Sequence, residues 1–258
     1  MGGVILNADS IQLYKGLPLL TAQPSEEDRS VVPHRLYEIL DETAPAYSAT
    51  AWVEALGRTL LTTDAPAILV GGTGFYLLAL TQGLSPIPEI PQAASVPFEA
   101  WPTEALMARL SDIDPERCRE IQAQDRRRLI RALSVWSATG RTLSSWQTEP
   151  RIPFPARFQS TVFLPSRDIL LKRIEARLHQ QVEKGVFEEV RDLKTSVPNL
   201  GGVTRALGFQ AIVDFWNGQC SKDQAIQRTL EQTRQYAKRQ TTWFRHQRLP
   251  SASVKDVF

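Results

Sequence analysis

The sequence predicts an α/β fold in which a mostly parallel sheet is flanked by helices. Compact apolar runs, which predict short buried strands, occur at residues 4–6, 67–70 and 161–164. Between them lie stretches with helical apolar spacing, such as Ala49 to Thr62. Strands that alternate with helices are typical of parallel sheets covered by helices.

Length and composition favour an ordinary cytoplasmic protein. The chain has 258 residues and a hydrophobic content of 42%, which suffices for one large domain or for a core with an insert. No apolar run approaches the roughly 20 residues that a membrane span needs, and no signal-peptide pattern opens the sequence. Cys118 and Cys220 are too few for a disulfide framework.

The first predicted strand runs directly into a polar block. Asp9, Ser10 and Gln12 follow it within a few residues. In open α/β sheets, ligands bind at the carboxyl ends of the strands. A carboxylate can accept a proton there, and a glutamine carboxamide can pair with the edge of adenine. Alternatively, Asp9 and Ser10 only cap the following helix or turn.

The second predicted strand ends in the glycine turn Gly71-Gly72-Thr73-Gly74, and a helix is predicted over residues 75–80. Successive backbone N–H groups in such a turn can form a concave anion-binding site. The alternative is that the glycines only permit a tight turn.

Two proline clusters, at residues 86–102 and 150–155, mark the limits of an insert. We therefore expect a core made of residues 1–88 and 156–258 and a helical insert at 89–155. Within the insert, helices are predicted over 103–110 and 125–139, with Gly140 as the C-terminal stop. Four arginines crowd the start of the second helix and oppose its dipole unless an anion neutralises them: Arg126, Arg127, Arg128 and Arg131. This arrangement favours a nucleic-acid role.

The last long helix begins at Ser221, which forms a capping-box pattern with Gln224. Helical spacing places four apolar residues on one side: Ile226, Leu230, Ala237 and Phe244. The same spacing places Arg234, Lys238 and Arg245 on one face, with Arg239 beside them. This basic face is suited to phosphates. The alternative is an ordinary amphipathic surface helix.

Charge is distributed unevenly along the chain. Residues 1–110 carry 5 Lys/Arg and 12 Asp/Glu, whereas residues 111–258 carry 25 and 16. The basic second half indicates a polyanionic partner or, alternatively, solvated helix faces.

His34, His179 and His246 have no metal-ligand spacing, so no metal ligand is assigned to them. No Gly-x-x-x-x-Gly-Lys-Ser/Thr phosphate loop occurs in the sequence.

Four blocks together resemble the bacterial tRNA dimethylallyltransferase family, and they occur in the family's order. They span residues 7–14, 71–76, 128–133 and 234–245. The resemblance implies a P-loop-NTPase-like parallel sheet with a helical tRNA-binding insertion. It also implies transfer of a dimethylallyl group from dimethylallyl diphosphate to N6 of the adenine at tRNA position 37, next to the anticodon.

The resemblance further implies roles for individual residues. Asp9 matches the family's general base, and Arg205 is expected to face the diphosphate. The residues expected to contact tRNA, including the basic face of the last helix, are Asp9, Ser10, Ile11, Gln12, Thr73, Arg127, Arg128, Leu129, Ile130, Arg131, Arg234, Lys238, Arg239 and Arg245. Mg²⁺ is the implied cofactor. The implied partners are dimethylallyl diphosphate and the tRNA anticodon loop, and we expect a monomer.

The sequence departs from the family at one point. The family carries a phosphate loop with a lysine and a Ser/Thr upstream of the Asn7 to Gln12 block, and the chain lacks it. We therefore expect an N-terminally truncated form in which prenyl transfer is impaired. Two alternatives stay open: a non-catalytic tRNA-binding remnant and an adenylate isopentenyltransferase. The basic insert argues against the second, because a mononucleotide needs no extended cationic surface.

Overall fold

The computed structural model describes residues 2–247, Leu249 and the backbone of residues 252–257. The chain divides into two compact units, one formed by Met1–Thr81 with Pro155–Phe258 and the other by Gln82–Phe154. The second unit therefore begins earlier than residue 89, the predicted start of the insert, and includes the whole first proline cluster.

The central sheet of the first unit is parallel and has three strands. They are β1 (Val4–Asn7), β2 (His34–Arg35) and β3 (Ala67–Val70), in the spatial order β2-β1-β3. Sequence analysis missed β2, because two polar residues carry no apolar pattern. Two further strands, β4 (Ser160–Pro165) and β5 (Ala252–Val257), form a separate parallel pair. The strand predicted at 161–164 is thus correct, but among the described residues its hydrogen-bonded neighbour is β5.

Helices account for most of the remaining chain. In chain order they are α1 (Glu26–Val31), α2 (Ala49–Leu61), α3 (Gly74–Gln82), α4 (Val96–Glu99), α5 (Thr103–Ile113), α6 (Pro115–Glu120), α7 (Arg126–Thr139), α8 (Leu143–Gln147), α9 (Arg167–Glu183), α10 (Val186–Ser196), α11 (Phe209–Trp216) and α12 (Lys222–His246). None of the helices in the described part of the chain has both the length and the apolar character of a membrane span.

Local signals place two helix ends correctly. Ser221 and Gln224 form both hydrogen bonds of the predicted capping box at the start of α12. Gly140 ends α7 in the left-handed conformation, with φ of 69°, which glycine adopts without steric cost.

A buried tryptophan fixes the end of β1 against two helices. Trp52 of α2 is completely buried and stacks on Tyr76 of α3, with ring centroids 4.8 Å apart. Its indole N–H donates to the backbone oxygen of Asn7 at 3.0 Å. The last residue of β1 therefore has a defined position, and so does the polar block that follows it.

The second unit has its own apolar core, formed where α5 and α7 pack together. The core residues are Phe98, Leu106, Leu110, Ile121, Leu129, Ala132 and Leu133. Leu129 and Leu133 are completely buried. One side of α7 is thereby fixed, which leaves its arginines on the outer side.

Candidate active site

The backbone around Asp9 is held by the side chain of Asn7. This buried carboxamide donates to the backbone oxygens of Asp9 and Leu36 at 2.9 and 3.0 Å, and its oxygen accepts the Asp9 N–H at 2.8 Å. The Asp9 Oδ1 atom accepts the N–H of Ile11 at 2.9 Å. The carboxylate is therefore held at the carboxyl end of β1, in the middle of the sheet.

Burial raises the pKa of Asp9 above its usual range. The N–H groups of Ile11 and Gln12 and the positive charge of Arg177 act in the opposite direction, and burial outweighs them. A carboxylate with increased proton affinity is suited to general-base chemistry near neutral pH.

The charge of this carboxylate acts on three tyrosines. Burial raises the pKa of Tyr37, Tyr76 and Tyr236, and the charge of Asp9 adds to the rise in each case. The phenol groups therefore stay neutral at physiological pH.

The structure brings the Asp9 block and the glycine turn together. The Ser10 N–H donates to Thr73 Oγ1 at 2.9 Å, and the Thr73 hydroxyl donates to Ser10 Oγ at 3.3 Å. The Thr73 N–H donates to the backbone oxygen of Ala8 at 3.2 Å. Sixty-three residues separate Ser10 from Thr73 in sequence, so only the pairing of β1 with β3 explains their proximity.

The glycines of the turn permit close approach of α12. Gln240 donates to the backbone oxygen of Gly72 at 3.0 Å, and a Cβ atom on Gly74 would overlap the indole ring of Trp243. The Gly74 N–H donates to the Gly72 oxygen at 3.1 Å, and the Thr73 N–H is also paired within the backbone. These contacts support the tight-turn interpretation, since two of the amides are already satisfied.

We expect Gly74→Ala to lower the free energy of unfolding by about 1–3 kcal/mol, because the added methyl group overpacks against Trp243. Urea denaturation measures the loss. The control is a double-mutant cycle with Trp243→Leu, in which the two effects should be less than additive. Additive losses would show that the contact with Trp243 is not what restricts the size of the side chain at position 74.

Comparisons with known proteins identify the family of this chain. The sequence matches the model of the IPP transferase family over residues 12–247. The chain belongs to this family. It is 41% identical to the tRNA dimethylallyltransferase of Chelativorans sp. strain BNC1 over 260 residues, which cover 95% of this chain and 87% of the relative. The relative from Azorhizobium caulinodans is 41% identical over 255 residues, with 95% and 81% covered.

A solved structure shows the same fold. The full-length tRNA isopentenylpyrophosphate transferase from Bacillus halodurans superimposes with a TM-score of 0.67 at 29% identity, covering 98% of this chain and 81% of that one. The predicted fold, a P-loop-NTPase-like parallel sheet flanked by helices, is therefore confirmed for this chain. The resemblance to bacterial tRNA dimethylallyltransferases is confirmed as well.

One residue with an expected substrate role, Gln12, has structural contacts within the chain, whereas Arg205 is exposed. The Gln12 amide donates to the backbone oxygens of Thr21 and Ala22 at 2.9 and 3.0 Å, so its N–H groups hold a loop. Arg205 is exposed at the end of the 3₁₀ turn Gly202–Arg205. Burial raises the pKa of Tyr14 above its usual range, and the hydrogen bond with the Tyr47 backbone and the charge of Arg205 oppose this rise only in part.

The cations of α12 differ in exposure. Lys238, Arg239 and Arg245 are exposed, and the Arg239 guanidinium lies 5.5 Å from the ring centroid of Tyr236. Arg234 is only partly exposed and lies 3.6 Å from a carboxylate oxygen of Glu175. The exposed cations are thus available to phosphates, whereas part of the Arg234 charge is already balanced.

In the second unit, the predicted segment 127–131 presents charges on one side only. Arg127 and Arg131 are exposed and make no hydrogen bond or ion pair with other described residues. Arg128 pairs with Asp125 at 3.1 Å. Leu129 is completely buried and Ile130 packs against the same core. Within this segment, Leu129 and Ile130 therefore anchor the helix in the core, while the arginines reach solvent.

Sequence reasoning missed the electrostatic interactions of Asp9 with Tyr37 and Arg177. Tyr37 lies in a coil after β2, and Arg177 lies in the middle of α9. Neither residue belongs to a glycine turn, a capping pattern or a polar cluster. No local signal marks them, because their proximity to Asp9 arises only from the packing of distant segments.

The described residues contain no group of three or more His, Cys, Asp and Glu side chains placed to hold a metal ion. Beside Asp9 the remaining polar groups are hydroxyls and amides, which are weak Mg²⁺ ligands on their own. The side chains of the described residues by themselves therefore do not fit a resident Mg²⁺ ion.

Proposed function

We propose that this protein transfers a dimethylallyl group from dimethylallyl diphosphate to N6 of the adenine at tRNA position 37. The observation that carries the proposal is the partly buried Asp9 carboxylate at the end of β1, with its raised pKa. The 41% identity to a tRNA dimethylallyltransferase over nearly the whole chain supports it. A tRNA substrate implies that the reaction takes place in the cytoplasm.

Asp9 acts as the general base in this proposal. The N6 nitrogen of adenine attacks C1 of the dimethylallyl group, and the bond between C1 and the diphosphate oxygen breaks. The diphosphate leaves with the electron pair of that bond, while the N6 proton passes to the Asp9 carboxylate. Burial, which raises the proton affinity of Asp9, favours this last transfer.

The adenine must leave the stacked anticodon loop to reach Asp9, at a cost of about a few kcal/mol. Tyr37 and Tyr236, which are only partly buried, are the proposed aromatic surface for an extruded base. Phosphate contacts offset the cost. In the first unit the proposed contacts come from Lys238, Arg239 and Arg245. In the second unit they come from the arginines of α7.

Negative charge develops on the departing diphosphate, and Arg205 is the proposed residue that faces it. We propose Mg²⁺ as a counter-ion carried by the diphosphate itself, since Mg²⁺ commonly binds through substrate phosphates. No step of the reaction is assigned to the metal.

The test incubates the 258-residue chain with unmodified tRNA, Mg²⁺ and an excess of radiolabelled dimethylallyl diphosphate. We expect label to be incorporated into the tRNA. Nuclease digestion should place the label on N6 of the adenine at position 37. A tRNA with guanine at that position is the matched control and should stay unlabelled. Label on free AMP instead of tRNA, or no label, would contradict the proposal.

A further inference from the structure

Tyr14 is a buried tyrosine whose hydroxyl group is fully engaged within the chain. Its side chain is almost completely buried. The hydroxyl donates to the backbone oxygen of Pro45 at 2.7 Å and accepts the N–H of Tyr47 at 3.2 Å. Neither substrate is proposed to touch this residue. Its contacts instead fix the segments of the first unit that pack around it.

The Tyr14 phenol packs directly against a pair of glycines. A Cβ atom on Gly202 would overlap the Tyr14 hydroxyl group, so a larger residue would displace either the ring or the backbone. The Gly202 N–H donates to the backbone oxygen of Ala44 at 2.7 Å, and the Gly201 N–H donates to that of Glu42 at 2.8 Å. The glycine pair is therefore held between the Tyr14 ring and residues 42–44.

The glycine pair leads directly into the turn that carries Arg205. This 3₁₀ turn spans Gly202–Arg205. The N–H and the hydroxyl of Thr204 both donate to the backbone oxygen of Gly201, at 3.3 and 2.8 Å. Val203 is completely buried. The side chain of Arg205 is exposed, but its backbone position therefore depends on where the glycine pair lies.

Tyr14 is also connected to the proposed general base. The Tyr14 N–H donates to the backbone oxygen of Ile11 at 3.4 Å. The Ile11 N–H in turn donates to Oδ1 of Asp9 at 2.9 Å. The Gln23 amide adds a hydrogen bond to the backbone oxygen of Tyr14 at 3.0 Å. One residue thus contacts both the backbone that holds the carboxylate and the glycine pair that precedes the arginine.

We propose that Tyr14 is a positioning residue that holds Arg205 at the diphosphate end of the site, in a fixed relation to Asp9 at the adenine end. The inference rests on the proposed function for the roles of Asp9 and Arg205. Direct displacement at C1 requires the attacking nitrogen and the departing diphosphate to be aligned on opposite sides of that carbon. Small misplacements are costly in such a reaction, so a rigid connection between the two ends favours it.

The first experiment examines the turn itself and needs no ligand. Tyr14→Phe keeps the ring but removes both hydrogen bonds of the hydroxyl group. We expect amide hydrogen exchange over residues 201–206 to become about ten-fold faster, while exchange in α12 stays unchanged. Tyr47→Phe is the matched control, because it removes a hydroxyl that donates to Ala51 at 3.2 Å and leaves the bonds of Tyr14 intact. Unchanged exchange over 201–206 in Tyr14→Phe would overturn the inference.

The second experiment measures the affinity for inorganic pyrophosphate with Mg²⁺ by titration calorimetry. We expect Arg205→Gln to weaken binding about ten-fold and Tyr14→Phe about three-fold. The double variant should bind no more weakly than Arg205→Gln alone, because Tyr14 acts only through Arg205. Additive losses would overturn the inference. So would normal affinity in Tyr14→Phe when Arg205→Gln weakens binding.

Gly202→Ala should give the same pattern as Tyr14→Phe, because the added methyl group pushes the turn away from the ring. Gly218→Ala is its control: Gly218 has a positive φ of 71°, but a Cβ atom there meets nothing within 4 Å. It should leave pyrophosphate affinity unchanged. Normal affinity in Arg205→Gln would contradict the diphosphate role in the proposed function. Exchange in Tyr14→Phe does not depend on that role, so the two failures are distinguishable.

Discussion

Asp9→Asn should reduce dimethylallyl transfer about 1,000-fold and leave tRNA affinity within two-fold. General-base catalysis contributes roughly 10²- to 10⁴-fold to a rate, and asparagine cannot accept the N6 proton. The Asn oxygen still accepts the N–H of Ile11, which Asp9 binds at 2.9 Å. Single-turnover transfer and filter binding measure the two quantities. Normal transfer by the variant would show that Asp9 is only a structural cap.

The same substitution should leave the melting temperature at neutral pH unchanged or raise it. Burial raises the pKa of Asp9 in the folded state, so its contribution to stability is lost as the pH rises through that pKa. A neutral asparagine removes this penalty. Asp114→Asn is the matched control, since Asp114 is a buried cap that accepts the N–H groups of Arg117 and Ser144. We expect it to lower the melting temperature while transfer per folded molecule stays within a few-fold.

The pH dependence gives a further check on Asp9. Transfer requires the ionised carboxylate, so the rate should fall as the pH decreases through the raised pKa of Asp9. The acidic limb of the pH–rate profile should therefore lie at a pH above the usual pKa range of aspartate. The other groups facing Asp9, Tyr37, Tyr76 and Tyr236, stay neutral there because their pKa values are raised too. A limb within the ordinary aspartate range would argue against Asp9 as the base.

Replacing both Arg127 and Arg131 by glutamine should weaken tRNA binding about 10- to 100-fold. Both side chains are exposed and unpaired among the described residues. Each phosphate contact that is lost lowers the slope of log affinity against log salt by about 0.7–0.9. Two contacts should therefore lower the slope by about 1.5. Titrations of unmodified tRNA between low and moderate salt measure both effects.

The matched control removes the same charge from the same unit. Arg119 and Arg151 are exposed and also unpaired among the described residues, and the double change to glutamine should alter tRNA affinity by less than two-fold. If the two double variants behave alike, the arginines of α7 belong to an ordinary solvated helix face. Unfolding of the second unit should be unaffected in both, because Leu129 and Leu133 keep α7 in the core.

The amino-acid sequence alone determined the local elements and the position of the proposed general base. The capping box at Ser221 and the left-handed Gly140 were predictable, because capping depends on residues within about four positions of the helix end. The apolar run of β1 and the polar block behind it placed Asp9 at the end of a strand. The four sequence blocks then indicated the family that the comparisons confirm.

Tertiary structure alone decided which distant residues share the site. Gln240 and Trp243 meet the glycine turn, and β4 pairs with β5. The charge of Arg177, on a helix in the other half of the sequence, acts on the Asp9 carboxylate. The Gln12 amide, expected to meet adenine, holds a loop of its own chain. Periodicity and capping depend only on residues that are neighbours in sequence. The interactions named above depend instead on how distant segments pack together or on the path of a loop.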